Sequence, residues 1–144
     1  MFRHEINISG NGYEEYYSDM TAAALAVLEH EKIKCTCEIN IEFTDNESIR
    51  KVNKNCRAVD EVTDVLSFQM GEINPESGVF MLGDILISGE RAKEQSIEIN
   101  QSLKKELMFL TVHSMLHLLG YEHEISKECE LIMRQKQREI MEKF

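Results

Sequence analysis

The stretch CTCEINIEF, residues 35–43, shows the clearest strand pattern in this chain of 144 residues. Its odd-numbered residues are cysteine, isoleucine or phenylalanine, and its even-numbered residues are threonine, glutamate or asparagine. Side chains alternate between the two faces of a β-strand, so this alternation predicts one buried face and one face in water.

The segments on either side of this strand extend it into a layered fold. Predicted strands cover 2–8, 35–43, 62–70 and 79–88, and helical spacing covers 13–31, 44–55 and most of 89–144, with breaks at 100–101 and 120–121. Residues 71–78 contain the only proline and predict a turn. This order predicts an α+β protein (α/β layers), a single domain over 1–144, in which helices pack on a mixed sheet of about four strands.

The composition is typical of a soluble globular protein, with 42% hydrophobic and 29% charged residues. No apolar stretch is long enough to cross a bilayer, and the first residues lack the pattern of a secretory signal. We therefore expect a cytoplasmic protein that does not associate with membranes. The four cysteines form no CxxC pair, and we interpret them as reduced thiols packed as small apolar residues, with Cys35 and Cys37 on one strand face.

The net charge of −10 argues against nucleic-acid binding that is driven by bulk charge. The window SIRKVNKNCR, residues 48–57, is a local exception, because no acidic residue interrupts its cations, Arg50, Lys51, Lys54 and Arg57. Two interpretations stay open: a solvated helix face, or a patch that binds the phosphates of RNA.

Residues 113–123, HSMLHLLGYEH, contain three of the five histidines. His113 and His117 lie within a dense apolar segment, 104–120, which predicts a largely buried helix with Gly120 just past its end. His113 and His117 are four residues apart and therefore project from the same side of that helix. A chain reversal at Gly120 would bring His123 back beside them.

Either these histidines pack as separate residues, or they converge on a metal ion. Two histidines one turn apart in a buried helix would need separate partners, or would repel each other when protonated. A divalent metal removes that cost by accepting a lone pair from each neutral ring, so we favour a metal site. Three imidazoles suit Zn²⁺, one per chain, with Ni²⁺ or another first-row divalent metal as alternatives. Three protein ligands leave a fourth position for water, as in catalytic zinc sites.

The same spacing matches the zinc-peptidase pattern HExxHxxGxxH, with one departure. Ser114 occupies the position of the glutamate that serves those peptidases as general base. A serine hydroxyl does not take up a proton at neutral pH, so the pattern predicts a hydrolase without that peptidase mechanism.

HSMLHLLGYEH resembles the HGxLHLLGYDH signature of the YbeY family of bacterial single-strand-specific endoribonucleases and rRNA maturation factors. RAVDEVTDVLSF, residues 57–68, resembles the family's arginine followed by TDVLSFP, and LGDILIS, residues 82–88, resembles its LGDI strand. The three blocks keep the family's order, and the resemblance covers most of the chain from about residue 35 onward. Ser114, Glu122 and Gln69 depart from the usual glycine, aspartate and proline, and none of these departures removes a metal ligand.

The resemblance implies a zincin-like metal helix, with His113, His117 and His123 as the metal ligands and Arg57 as the functionally important arginine. A guanidinium can hold two phosphate oxygens at once, which agrees with that role. The alternative for Arg57 is a surface salt bridge with Asp60 or Glu61. The window 50–57 would then supply RNA-binding cations.

Aspartate is uncommon inside strands, which draws attention to Asp64 and Asp84. Either carboxylate could accept the second ring N–H of a histidine ligand, or could cap a turn through backbone hydrogen bonds. Residues 126–144 form an amphipathic pattern, which we interpret as packing alone.

The favoured function is a zinc-dependent, single-strand-specific endoribonuclease. The resemblance implies roles in rRNA maturation, including processing of the 16S rRNA 3′ end, and in ribosome quality control. It implies RNA and the ribosome as partners, with ribosomal proteins or a small GTPase as further ones. The alternatives are a metzincin-like zinc peptidase or other hydrolase, and a non-catalytic ribosome assembly factor with a bracing metal.

Overall fold

The structure is a computed structural model that describes residues 3–121 and 126–144. Within these residues the strands are β1 (Glu5–Ser9), β2 (Cys37–Thr44), β3 (Val65–Ile73) and β4 (Phe80–Ser88). The helices in the same ranges are α1 (Tyr17–His30), α2 (Asn46–Arg57), α3 (Gly89–Glu98), α4 (Leu103–Leu118) and α5 (Lys127–Met141), with a 3₁₀ turn at Glu14–Tyr16. No helix in this described part is long and apolar enough to cross a membrane.

The described strands form one sheet in the order β1-β2-β4-β3. β1 pairs with β2 and β2 with β4 in parallel, whereas β3 joins the β4 edge in antiparallel orientation. The predicted mixed sheet of four strands is thus confirmed, and β4, within the nearly apolar segment 79–88, lies in its interior.

One face of the sheet carries the core. Ile39 and Ile41 of β2 and Ile85 and Ile87 of β4 are buried there. α4 packs against this layer and also against α1. Gly83 permits the close approach of α4, because a Cβ at this position would lie 2.7 Å from Leu118 Cδ2.

The opposite face is covered only in part. α2 contacts β3 and β4 there, with Ile49 buried, while the part near β1 stays polar. A chain of side-chain hydrogen bonds crosses this polar part: Asn7 donates to Asn40 (3.1 Å), and Asn40 donates to Asp84 (3.1 Å). α2 and α4 thus contact β3 and β4 from opposite faces of the sheet.

Several predicted boundaries shift. β3 continues to Ile73, through residues expected to turn, because it stays paired with β4 beyond an irregularity between Gln69 and Glu72. β2 begins at Cys37, so Cys35 is exposed outside the strand, although the two sulfur atoms lie 3.9 Å apart. Only Cys37 behaves as the buried apolar thiol that was expected, and burial raises its pKa to about 12.

Candidate metal centre

α4 brings two of the three predicted metal ligands together. Ser102 caps the helix by accepting a hydrogen bond from the Lys105 amide (3.1 Å). Most of the helix is buried, but His113 and His117 are only partly so. Their Nε2 atoms lie 3.0 Å apart, and the ring planes cross at 80°. The helix thus holds the two nitrogen atoms at one point near the surface.

This geometry fits two imidazole ligands of one ion. Zinc binds histidine nitrogen at 2.0–2.1 Å, and a tetrahedral angle then separates two ligand nitrogens by about 3.3 Å. A direct N–H···N hydrogen bond between the rings would have a similar length, as the separate-residue interpretation requires. Among the described residues no three metal-binding side chains form a group. The third predicted ligand, His123, lies outside those residues.

Gln137 of α5 contacts the outer nitrogen of His113. Its Nε2 lies 2.7 Å from His113 Nδ1, and only 8% of the residue is exposed. A half-turn of the amide places Oε1 at the same position, where it can accept the N–H of Nδ1. A histidine that binds a metal through Nε2 needs such an acceptor on Nδ1. The amphipathic pattern gave one overlooked signal: a glutamine on the apolar face of the helix, between Met133 and Ile140.

We expect Gln137→Met to weaken metal binding about 10- to 100-fold, because His113 loses the partner that fixes its orientation. Competition with a chromogenic chelator measures this affinity. Gln137→Glu should keep affinity near that of the wild type, since a carboxylate also accepts the N–H. The matched control is Gln135→Met, at an exposed position on the same helix. Equal metal affinity in the wild type and the three variants would show that Gln137 does not contribute to the metal site.

The backbone turns after α4, as the sequence predicts. Gly120 has φ +102, and the Tyr121 amide donates to the Leu116 carbonyl (3.0 Å). The Tyr121 hydroxyl donates to Glu31, which also accepts from Lys136 (3.0 Å). Tyr121 lies two residues before His123, so this contact ties the segment that leads to the third predicted ligand to α1 and α5.

Glu31 is charged at the centre of this contact. Burial raises its pKa, but hydrogen bonds with Tyr121, His30 and Lys136 outweigh burial and hold the pKa below its usual value. The Lys136 ammonium also lies over the Tyr121 ring, 5.1 Å from its centroid. His30 thus has a structural role here, as a hydrogen-bond partner of Glu31.

Asp64 and Asp84 have different surroundings in the structure. Asp64 and His113 line the same cavity of about 270 Å³, and the Asp64 carboxylate accepts hydrogen bonds from Gln95 (3.0 Å) and Thr63 (3.3 Å). Asp84 bonds instead to Asn40, on the face opposite to the one where its neighbour Gly83 meets α4. The structure therefore brings Asp64, but not Asp84, to the side of the histidines.

Two of the sequence departures have visible surroundings. Ser114 is fully buried, and its hydroxyl oxygen has no hydrogen-bond partner among the described residues. A buried hydroxyl cannot replace the glutamate of a zinc peptidase. Gln69 donates from Nε2 to the Leu118 carbonyl (3.0 Å), which satisfies a carbonyl at the end of α4. The third departure, Glu122, lies outside the described residues.

The basic window forms the exposed side of α2. Arg50 binds Asp60 (2.8 Å) and Lys51 binds Glu47 (3.6 Å), so both cations have carboxylate partners. Asp60 is one of the two residues that were considered as salt-bridge partners of Arg57. It is bound by Arg50 instead, and this hydrogen bond lowers the pKa of Asp60.

Arg57 is the last residue of α2, and Ala58 ends the helix with a left-handed conformation. Neither Lys54 nor Arg57 has an ion pair with another residue in the described ranges. The connection after Arg57 runs through residues 58–63 to Asp64, which lines the His113 cavity. The exposed guanidinium of Arg57 can therefore bind an anion. It lies at the start of the connection whose other end, Asp64, lines the candidate site.

Comparisons with known proteins agree with this arrangement. The family model described as Endoribonuclease YbeY matches residues 4–144. A protein named Endoribonuclease YbeY from Caldanaerobacter subterraneus subsp. tengcongensis is 46% identical over 132 residues, which cover 85% of this chain and 83% of that protein. One of the same name from Agathobacter rectalis is 40% identical, over 89% of this chain and 87% of that protein.

The fold also has a solved counterpart. The solution structure of TM1509 from Thermotoga maritima superimposes with a TM-score of 0.65 at 25% sequence identity, over 97% of this chain and 87% of that one. The family match spans the strands, the basic helix and the histidine helix together. The chain therefore belongs to the endoribonuclease YbeY family.

Proposed function

We propose that this protein is a metal-dependent endoribonuclease that cleaves single-stranded RNA, with one zinc ion held by His113, His117 and His123. Membership of the endoribonuclease YbeY family supports the reaction. The observation that carries the metal is the convergence of the two Nε2 atoms at 3.0 Å on the exposed side of α4. Ni²⁺ or another first-row divalent metal would suit the same ligands.

His113, His117 and His123 would hold the metal ion, which would supply Lewis-acid chemistry for activating water or polarising a phosphate. The chain's own groups do the rest. Gln137 orients His113, and residues of α4 and α5 line the cavity beside it. Arg57 binds the phosphate oxygens, where negative charge concentrates during cleavage, through two parallel N–H groups. Lys54 adds charge on the same helix.

The cellular role we propose is rRNA maturation, including processing of the 16S rRNA 3′ end, and ribosome quality control in the cytoplasm. The partners would be rRNA and the ribosome, with ribosomal proteins or a small GTPase as further contacts. An acidic chain with one basic helix suits this role, since it would bind RNA at a defined surface and not through its overall charge.

One observation favours a second candidate, carboxylate-assisted hydrolysis of a peptide or another small substrate. Asp64 and Glu130 line the same cavity as His113, so a carboxylate is present on that side even though Ser114 is not one. Glu130 is held by Arg134 (2.7 Å). Asp64 is the better candidate base, because its hydrogen bonds come from neutral side chains.

A substrate panel separates these functions. We expect the metal-loaded protein to cut an unstructured RNA oligonucleotide internally, to cut the matched RNA duplex at least about tenfold more slowly, and to leave the matched DNA strand and an unstructured peptide intact. Product lengths on a denaturing gel and peptide mass spectra give the readout. Cleavage of the peptide without cleavage of RNA would contradict the endoribonuclease proposal and support the second candidate, hydrolysis of a peptide or another small substrate. Cleavage of neither would favour the non-catalytic assembly factor.

A further inference from the structure

A groove between α4 and α5 continues away from the histidine site. The cavity beside His113 and a second cavity of about 230 Å³ share three wall residues, Phe109, Arg134 and Gln137. The second cavity is completed by Gln101, Lys105, Arg138 and Met141. Since Lys105, Phe109 and His113 follow one another at intervals of four, they lie along one side of α4 at steps of about 6 Å. The second cavity thus extends the candidate active site.

The charge of this groove is opposite to that of the protein. Lys105, Arg134 and Arg138 line the second cavity, and no acidic residue does. Arg134 binds Glu130, but Lys105 and Arg138 form no ion pair with another residue of the part that the structure describes. Although the chain has a net charge of −10, the positive charge of this groove would attract phosphate groups.

An aromatic ring stands between these cations and the histidines. Phe109 is 36% exposed, and its ring lies 6.1 Å from the His113 ring at an interplanar angle of 28°. An exposed ring beside positive charge is the arrangement by which proteins hold single-stranded RNA, since a base stacks on the ring while cations follow the phosphates. The alternative is that Phe109 only packs against its neighbours and that Lys105 and Arg138 are only solvated. That alternative gives no reason for a groove that joins the ring and the cations to the histidine site.

We propose that this groove binds the nucleotides of single-stranded RNA that flank the cleaved phosphodiester. A base stacks on Phe109, and Lys105 and Arg138 contact the neighbouring phosphates. The inference rests on the proposed endoribonuclease function and adds a substrate-binding role to α5, for which the amphipathic pattern indicated packing alone. Arg57 and this groove would then engage different phosphates of one strand.

The test is RNA binding and cleavage by the double variant Lys105→Gln/Arg138→Gln, with a fluorescent oligouridine as the probe. Both positions are exposed, so the variant should fold. We expect affinity to fall about tenfold or more, and the slope of log affinity against log salt to decrease by about 1.4, or 0.7 for each lost phosphate contact. In cleavage, the loss should reside mainly in KM. The control Lys34→Gln/Lys143→Gln removes the same charge from exposed positions outside the groove.

Phe109→Leu tests the stacking separately, and we expect about tenfold weaker binding at unchanged metal content. Metal content is measured because Phe109 contacts His113. If the groove variant and its control bind RNA with equal affinity and equal salt slope, while the wild type cuts RNA, the groove inference is wrong and the proposed function stands. If the wild type neither binds nor cuts RNA, both the groove inference and the proposed function are wrong.

Discussion

Replacing His113 with alanine should abolish both metal binding and RNA cleavage. The substitution removes one of the two nitrogen atoms that converge at 3.0 Å and leaves Gln137 without its partner. We expect metal affinity to fall by more than about a thousandfold and cleavage to drop below about 1% of the wild-type rate. Elemental analysis of dialysed protein and a gel-based cleavage assay measure the two quantities on the same sample.

Loss of folding is the main competing explanation for such a result. His113 is only partly buried, so alanine should leave the core intact, and circular dichroism with thermal unfolding can verify this. His4→Ala is the matched control, since His4 belongs to the β1 end of the sheet, where its Nδ1 accepts a hydrogen bond from the Cys37 amide (3.0 Å). A His113→Ala protein that retains one metal per chain would show that the histidines pack as separate residues.

Replacing Arg57 with alanine should separate chemistry from metal binding. The guanidinium is at the exposed end of α2 and has no ion pair within the described residues, so its loss should leave stability and metal content unchanged. Removal of a charged group that stabilises developing negative charge costs about 100- to 1,000-fold in rate. We therefore expect a metal-loaded, folded protein with cleavage reduced by this factor, measured at saturating RNA.

Arg57→Lys and Lys51→Ala complete this comparison. Lysine keeps the charge but cannot bind two phosphate oxygens in parallel, so it should recover only part of the rate. Lys51→Ala removes one positive charge from the same helix, where Lys51 already binds Glu47, and should have little effect on the maximal rate. Equal rates for wild type and Arg57→Ala would leave Arg57 as a surface residue.

Much of this fold could be predicted from the sequence because short local patterns specify its helices and strands. The alternation in 35–43 marks β2, the capping side chain of Asp45 marks the start of α2, and the apolar density of 104–120 marks α4. Asp45 indeed accepts a hydrogen bond from the Ser48 amide at 2.7 Å. The convergence of His113 and His117 follows from helical periodicity alone, so their spacing was a reliable guide.

The contacts between distant segments were harder to foresee. Gln137 meets His113 only because α5 folds back along α4, and helical periodicity within one segment does not reveal which helix it will pack against. The same packing creates the basic groove, whose cations come from two helices. Asp64 and Asp84 looked equivalent in sequence, and only the folded structure shows that Asp64 lines the cavity beside His113 while Asp84 bonds to Asn40.

The most direct test measures metal per chain and RNA cleavage together, on wild type, His113→Ala and Arg57→Ala purified identically. We predict about one metal per chain and cleavage in the wild type, neither in His113→Ala, and metal without comparable cleavage in Arg57→Ala. Equal cleavage by all three proteins would contradict the account, because the activity would then depend on neither the metal ligands nor the arginine.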